Sequence, residues 1–104
     1  MRQGEIWVAN QLAGVLTEDE NGYHFKYQQE YLEKENVLPV SLTIPLQKDP
    51  FYSENLFPFF DGLIPEGWLL DITHKNWKIN PRDRMGLLLA TCRDCIGNIS
   101  VRSK

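Results

Sequence analysis

"EIWVANQLAGVLTEDENGYHFKYQ", residues 5–28, decides the fold, because its apolar residues recur at every second position between short polar breaks. Ile6 and Val8 alternate with Trp7 and Ala9, the polar pair Asn10 and Gln11 interrupts, and Leu12 to Thr17 resumes the extended pattern. That spacing predicts a hairpin. The polar turn from Glu18 to Gly22 ends in the residue that tolerates positive φ. Tyr23, Phe25 and Tyr27 then share one face of a further strand, with His24 and Lys26 on the other. Short connections between these runs predict an antiparallel meander. His24 reads as a solvent-side strand residue rather than a ligand, since no second ligand lies near it in sequence.

Outward from the meander the pattern changes. Gln28 to Lys34 can form a short helical turn carrying Tyr31 and Leu32. Val40 to Ile44 is rich in β-branched residues but bracketed by Pro39 and Pro45, which predicts a short edge strand or an extended segment. Gln47 to Ser53 reads as a loop, with "DPFY" as its turn signal. Helical spacing follows. Ser53 or Asn55 can cap a helix running to about Asp61, with Pro58 in its first turn and Gly62 closing it. Pro65 and Glu66 open a second helix, Glu66 to about Trp77, whose apolar set is Trp68, Leu69 and Ile72, with Trp77 a further candidate. Asn80, Pro81 and Asp83 read as cap, first position and capping-box acid of a third, Arg82 to about Thr91, with Met85, Leu88 and Leu89 as its buried stripe. "CIGNISVRSK" returns to period two, with Ile99 and Val101 on one face. The fold expected is α+β: an antiparallel sheet, open or curled into a half-barrel, with about three helices on one side and the C-terminal strand rejoining the sheet.

At 104 residues the chain is expected to be a single domain over 1–104. Its 42% hydrophobic and 24% charged residues are enough for a core and argue against disorder. A net charge of −3 provides no basic field for phosphate backbones or anionic membranes. No apolar run approaches a membrane span and no signal-peptide core precedes the first strand, so the cytoplasm is the expected compartment. Cys92 and Cys95 form one CxxC without the second pair that a zinc site needs, and this CxxC follows a helix rather than opening one. Both thiols are expected to be inert, with no metal and no cofactor. No phosphate loop, zinc-protease motif or nucleophile–base arrangement is present. The acid pairs Glu18/Asp19 and Glu33/Glu35 read as solvated surface carboxylates, which lack the burial that acid catalysis uses. The chain is therefore not expected to be an enzyme.

Four stretches carry a resemblance: "LAGVL" (Leu12 to Leu16), "SLTIPL" (Ser41 to Leu46), "FFDGLIPEG" (Phe59 to Gly67) and "CRDCIGNI" (Cys92 to Ile99). Their order and kind resemble the N-terminal subdomain of HipA-type serine/threonine kinases, where a "GxL" hairpin precedes "SLPL", "FFxxLLPEG" and "GRDCIGAV". Cys92 stands where that family commonly has glycine, which makes the CxxC a by-product of one replacement. The kinase core, with its phosphate-binding loop and catalytic and metal-binding aspartates, has no counterpart in these residues, so the resemblance implies no kinase activity. A freestanding subdomain of this kind is similar to the HipS antitoxins of split, three-gene HipBST systems. There the resemblance implies binding to a HipT-like kinase that lacks this subdomain, with a HipB-like DNA-binding protein joining through the kinase. It implies no direct contact with nucleic acid or membrane. It also implies that the tryptophan after "PEG", here Trp68, reaches toward the kinase active site, so the expected partner-binding residues are Pro65, Glu66, Gly67, Trp68 and Asp71.

The residues themselves leave Trp68 two roles. It can join Leu69 and Ile72 in a buried stripe, or, because Trp68 and Leu69 lie about 100° apart on a helix, one of the two can look outward as an interface anchor. The resemblance favours the interface. Phe59 and Phe60 divide in the same way, with at least one expected in the core. The runner-up reading keeps the fold and makes the chain a non-inhibitory scaffold or dimerisation piece of a full-length HipA kinase. A third, weaker reading is a redox or metal protein using Cys92 and Cys95.

Overall fold

A computed structural model describes residues 1–64, 82–92 and 98–104. Five strands form one antiparallel sheet: β1 (Arg2–Val8), β2 (Gln11–Asp19), β3 (Gly22–Tyr27), β4 (Phe51–Ser53) and β5 (Ile99–Ser103), in the order β4-β3-β2-β1-β5. The sheet is open, its two edges being β4 and β5. Three helices accompany it among the described residues: α1 (Gln29–Glu33), α2 (Pro58–Asp61) and α3 (Arg84–Thr91). The meander and the returning C-terminal strand are as expected.

Register explains why one face is buried. Gly4, Leu16 and Phe25 stand opposite one another across β1, β2 and β3, and Phe25 stands opposite Phe51 of β4. Ile6 faces Gly14 on one side and Val101 on the other, and Gly14 faces Tyr27. This row is closed over by Tyr31 from α1, Phe60 from α2, and Met85, Leu87 and Leu88 from α3, all in one buried cluster. Two glycines permit the close approach. A Cβ on Gly4 would meet Leu89 Cδ2 of α3 at 2.8 Å, and one on Gly14 would meet the Phe25 ring at 2.6 Å and Lys26 O at 2.5 Å. The opposite face carries Gln3, Thr17, His24 and Lys26, the polar side of the alternation.

Several boundaries differ from the sequence expectation, each for a local reason. The first turn is Ala9–Asn10, both with positive φ, a two-residue primed connection that matches strand twist, and Gln11 is already paired with Val8. A bulge between Ile6 and Trp7 leaves Ala13 unpaired across from β1, and its carbonyl accepts the Gln28 N–H at 2.8 Å. β2 runs on to Asp19, so Glu18 and Asp19 are strand residues rather than turn residues. Val40–Ile44 is neither an edge strand nor extended. It is a tight turn closed by a single bridge between Ser41 and Ile44, because the Tyr27 hydroxyl accepts the Val40 N–H at 2.9 Å and donates to Ile44 O. The edge strand is β4 instead, inside the stretch read as a loop.

The helices shift similarly. α2 starts at Pro58 in its first position with Phe57 before it, and Ser53, committed to β4, turns its hydroxyl only onto the Asn55 N–H at 3.3 Å. α3 is capped by Asp83 itself, whose side chain accepts the Gly86 N–H, so the capping residue is Asp83 and not Asn80. Leu87 takes the buried place expected for Leu89, which is only partly covered. The helix expected over Glu66–Trp77 lies outside the described residues, as do Asn80, Pro81 and Cys95.

Candidate functional site

The five residues expected to meet a partner, Pro65, Glu66, Gly67, Trp68 and Asp71, lie outside the described residues. Their mounting does not. Phe60 of α2 is fully buried, with its ring centroid 5.5 Å from that of Phe25 and 5.9 Å from that of Phe57. Phe59 is only partly buried, so the expected division of the pair holds with Phe60 as the core member. Leu63 and Ile64 are buried as well, their N–H groups bonded to Phe60 O and Asp61 O. On the far side, Arg84 Nε donates to Asp61 Oδ1 at 2.5 Å, and Cys92 Sγ donates to Leu63 O at 3.1 Å. Ile64, where the described chain breaks off, and Arg82, where it resumes, are thus the ends of two pieces joined by direct side-chain bonds.

Asp83 completes that support with an ionic clasp. The Arg2 guanidinium forks onto both Asp83 oxygens at 2.7 and 2.8 Å, and its Nε reaches Glu18 Oε1 at 2.7 Å. Tyr23 donates to the other Glu18 oxygen at 3.0 Å. Glu18 is therefore a half-buried partner of Arg2 rather than a free surface acid. The hydrogen bond from Arg2 holds the Asp83 carboxyl below the ordinary carboxylate value, and burial, with the Glu18 bond second, pushes Tyr23 up to about 12. Such groups are poised to stay charged or neutral across the physiological range, which suits a clasp and not proton transfer. Sequence reasoning missed Arg2, although the signal was available: the parity of Ile6 and Gly4 carries back to residue 2, on the inner face.

The open face holds a groove of about 600 Å³ lined by Thr17, His24, Lys26, Gln28 and Lys48 among others. Its imidazole is occupied, with His24 Nε2 3.1 Å from Asp19 Oδ2 and the ring centroid 5.1 Å from that of Tyr52. Asp19 is likewise engaged rather than free, lying against the His24 imidazole and accepting the Asn21 N–H at 2.8 Å. Among the described residues no group of three or more His, Cys, Asp and Glu side chains could hold a metal ion. Cys92 is buried. Among the described residues, too, no helix is long and apolar enough to cross a membrane.

Comparison with known proteins agrees with this architecture. The HipA N-terminal domain family matches residues 4–102. The chain belongs to the HipA N-terminal domain family. An uncharacterised protein of Haemophilus influenzae is 32% identical to this HipA N-terminal domain over 104 residues, covering 100% of this chain and 94% of that protein. The putative kinase Y4mE of Sinorhizobium fredii is 32% identical over 84 residues, which are 80% of this chain and 20% of that protein, so the chain spans only a small part of Y4mE. Among solved structures, the N-terminal domain of HipA toxin superimposes with a TM-score of 0.76 at 31% identity, covering 100% of this chain and 93% of that one. The four quoted motifs fall within the matched span.

Proposed function

We propose that this HipA N-terminal domain is a non-enzymatic interaction protein: an antitoxin that binds a HipT-like serine/threonine kinase in the cytoplasm and inhibits it. Trp68 acts as a wedge directed at the kinase active site, and Pro65, Glu66, Gly67 and Asp71 surround it at the interface. A HipB-like DNA-binding protein joins the complex through the kinase. One observation carries the reading. The same unit makes up 94% of one relative and 20% of a putative kinase, as expected of a module that works on a kinase both in the same chain and from a separate one. The burial of Leu63 and Ile64 in the core supports it, since an ordered support lowers the entropic cost of presenting an aromatic anchor.

A second reading, a non-inhibitory scaffold or dimerisation piece of a longer kinase, draws support from Y4mE, where the unit is part of the larger chain. The reading frame next to the gene separates the two. A neighbouring kinase that lacks this subdomain supports the antitoxin, and an in-frame kinase continuation supports the scaffold. The direct test is phosphorylation by the purified neighbouring kinase with and without this chain: the antitoxin reading expects stoichiometric suppression, and undiminished phosphorylation at saturating chain contradicts it.

A further inference from the structure

The polar face of the sheet carries a groove whose charge runs against that of the chain. Gln3 of β1 stands opposite Thr17 of β2, Thr17 opposite His24 of β3, and Val15 opposite Lys26, so two rows of side chains cross the sheet beneath this groove of about 600 Å³. Gln28, Gln29 and Leu32 join them from the start of α1, Lys48 from the loop before β4, and Lys104 from just beyond β5. Lys26, Lys48 and Lys104 are three of the chain's 11 Lys and Arg residues, whereas none of its 14 Asp and Glu residues is among the described residues that line the groove. A chain of net charge −3 thus holds a local positive patch. Its ammonium groups are not neutralised within the fold. Among the described residues ion pairs join Arg2 to Glu18 and Asp83 and Arg84 to Asp61, and none reaches Lys26, Lys48 or Lys104.

Like charges around one concavity focus a positive potential into it and select an anionic occupant. The groove's own chemistry narrows the choice to carboxylates. Two of its residues already meet one: Gln29 Nε2 donates to Glu33 Oε1 at 3.0 Å, and His24 Nε2 lies 3.1 Å from Asp19 Oδ2. The Gln3, Gln28 and Gln29 amides carry donors and acceptors together, the complement of peptide groups. Nucleic acid fits less well. Among the described lining residues there is no arginine to fork onto a phosphate, Tyr27 is buried, and the His24 ring is taken up by Asp19 and Tyr52, so bases have no free platform to stack on. A concave floor does not follow the plane of a lipid surface either.

We propose that this groove docks an extended, carboxylate-bearing segment of a partner protein, held by Lys26 and Lys48, with Lys104 beside Gln3 as a third contact. The site lies on the sheet face turned away from α2 and α3 and does not depend on the antitoxin reading. Fluorescence anisotropy of a labelled peptide of alternating Glu and Ser, titrated with the full chain, tests it. Binding is expected to weaken steadily as salt is added, because exposed ion pairs are screened. Lys26→Gln and Lys48→Gln are each expected to weaken it about threefold and the two together about tenfold, at an unchanged urea midpoint, while Lys26→Arg with Lys48→Arg stays within about twofold of wild type. Lys34→Gln removes the same charge from outside the groove and is expected to leave the affinity unchanged. An equal loss with Lys34→Gln overturns the groove in favour of net charge alone. A wild-type chain that does not bind the peptide at low salt overturns the proposal outright, and tighter binding of an oligothymidylate of equal charge overturns it in favour of a phosphate ligand.

Discussion

Tyr27 donates its phenolic hydrogen to Ile44 O and accepts the Val40 N–H, so one hydroxyl does for the 40–44 turn what a neighbouring strand does elsewhere. Pro39 and Pro45 leave that turn short of donors, and both of its hydroxyl-bonded groups are buried. Tyr27→Phe strands a buried N–H and a buried C=O and is expected to lower stability by about 1–3 kcal/mol in urea unfolding, while leaving the rest of the sheet intact. Burial raises the pKa values of Tyr27 and Tyr31, and burial with the Glu18 hydrogen bond raises Tyr23 to about 12. The sign follows. A group with a raised folded pKa contributes stability that is fully present below its ordinary value near 10 and is lost as the pH climbs through the folded one. Alkaline titration of tyrosinate absorbance is therefore expected to show Tyr23, Tyr27 and Tyr31 ionising late and together with loss of structure; ionisation near pH 10 in a still-folded chain contradicts this.

At the scale of elements, Asp83 joins two jobs in one side chain, capping α3 and clasping Arg2 of β1. Asp83→Ala is expected to cost about 1–2 kcal/mol through the cap alone. Asp83→Asn keeps a good cap and loses the charge, so wild type against Asp83→Asn reports the charged Arg2 contact, and Asp83→Asn against Asp83→Ala reports the cap. Arg2 lowers the Asp83 pKa, so the stability this carboxylate contributes is present above the ordinary value near 3.8 and is lost as the pH falls through the lowered one. Acid unfolding followed by circular dichroism is expected to be steeper for wild type than for Asp83→Asn below pH 4.

The same clasp shows what the sequence could and could not disclose. β1, β2 and β3 were legible because each is long enough to repeat its alternation and each connects through a short turn. β4 was not, because three residues carry no periodicity and its place depends on pairing with Tyr23, His24 and Phe25 rather than on anything local. Asn80 and Asp83 both had the chemistry of a helix cap. Asp83 is the one that caps, and it also binds Arg2, 81 residues away in sequence, which no local pattern reports. Leu87 and Leu89 are two positions apart on α3, and which of them turns inward depends on how the helix lies against Gly4.

Across the whole molecule, the fold and the proposed function rest on different signals in the sequence. Period and turn chemistry led to an antiparallel sheet with helices on one face but did not distinguish an open sheet from a half-barrel; the structure is open, and it matches the N-terminal domain of HipA toxin. The residues proposed to face a partner came only from motif order, because nothing in period or charge distinguishes an interface tryptophan from a core one. The 40–44 turn was readable in neither way, since "SLTIPL" alternates like a strand until the Tyr27 hydroxyl closes it into a turn. Inhibition through Trp68 is tested by a kinase titration. The neighbouring kinase, assayed for phosphate transfer from ATP, is titrated with wild-type chain and with Trp68→Ala of equal urea midpoint. Full suppression at one equivalent of wild type is expected, with activity restored at least tenfold with Trp68→Ala; suppression by Trp68→Ala equal to that of wild type would contradict inhibition through Trp68.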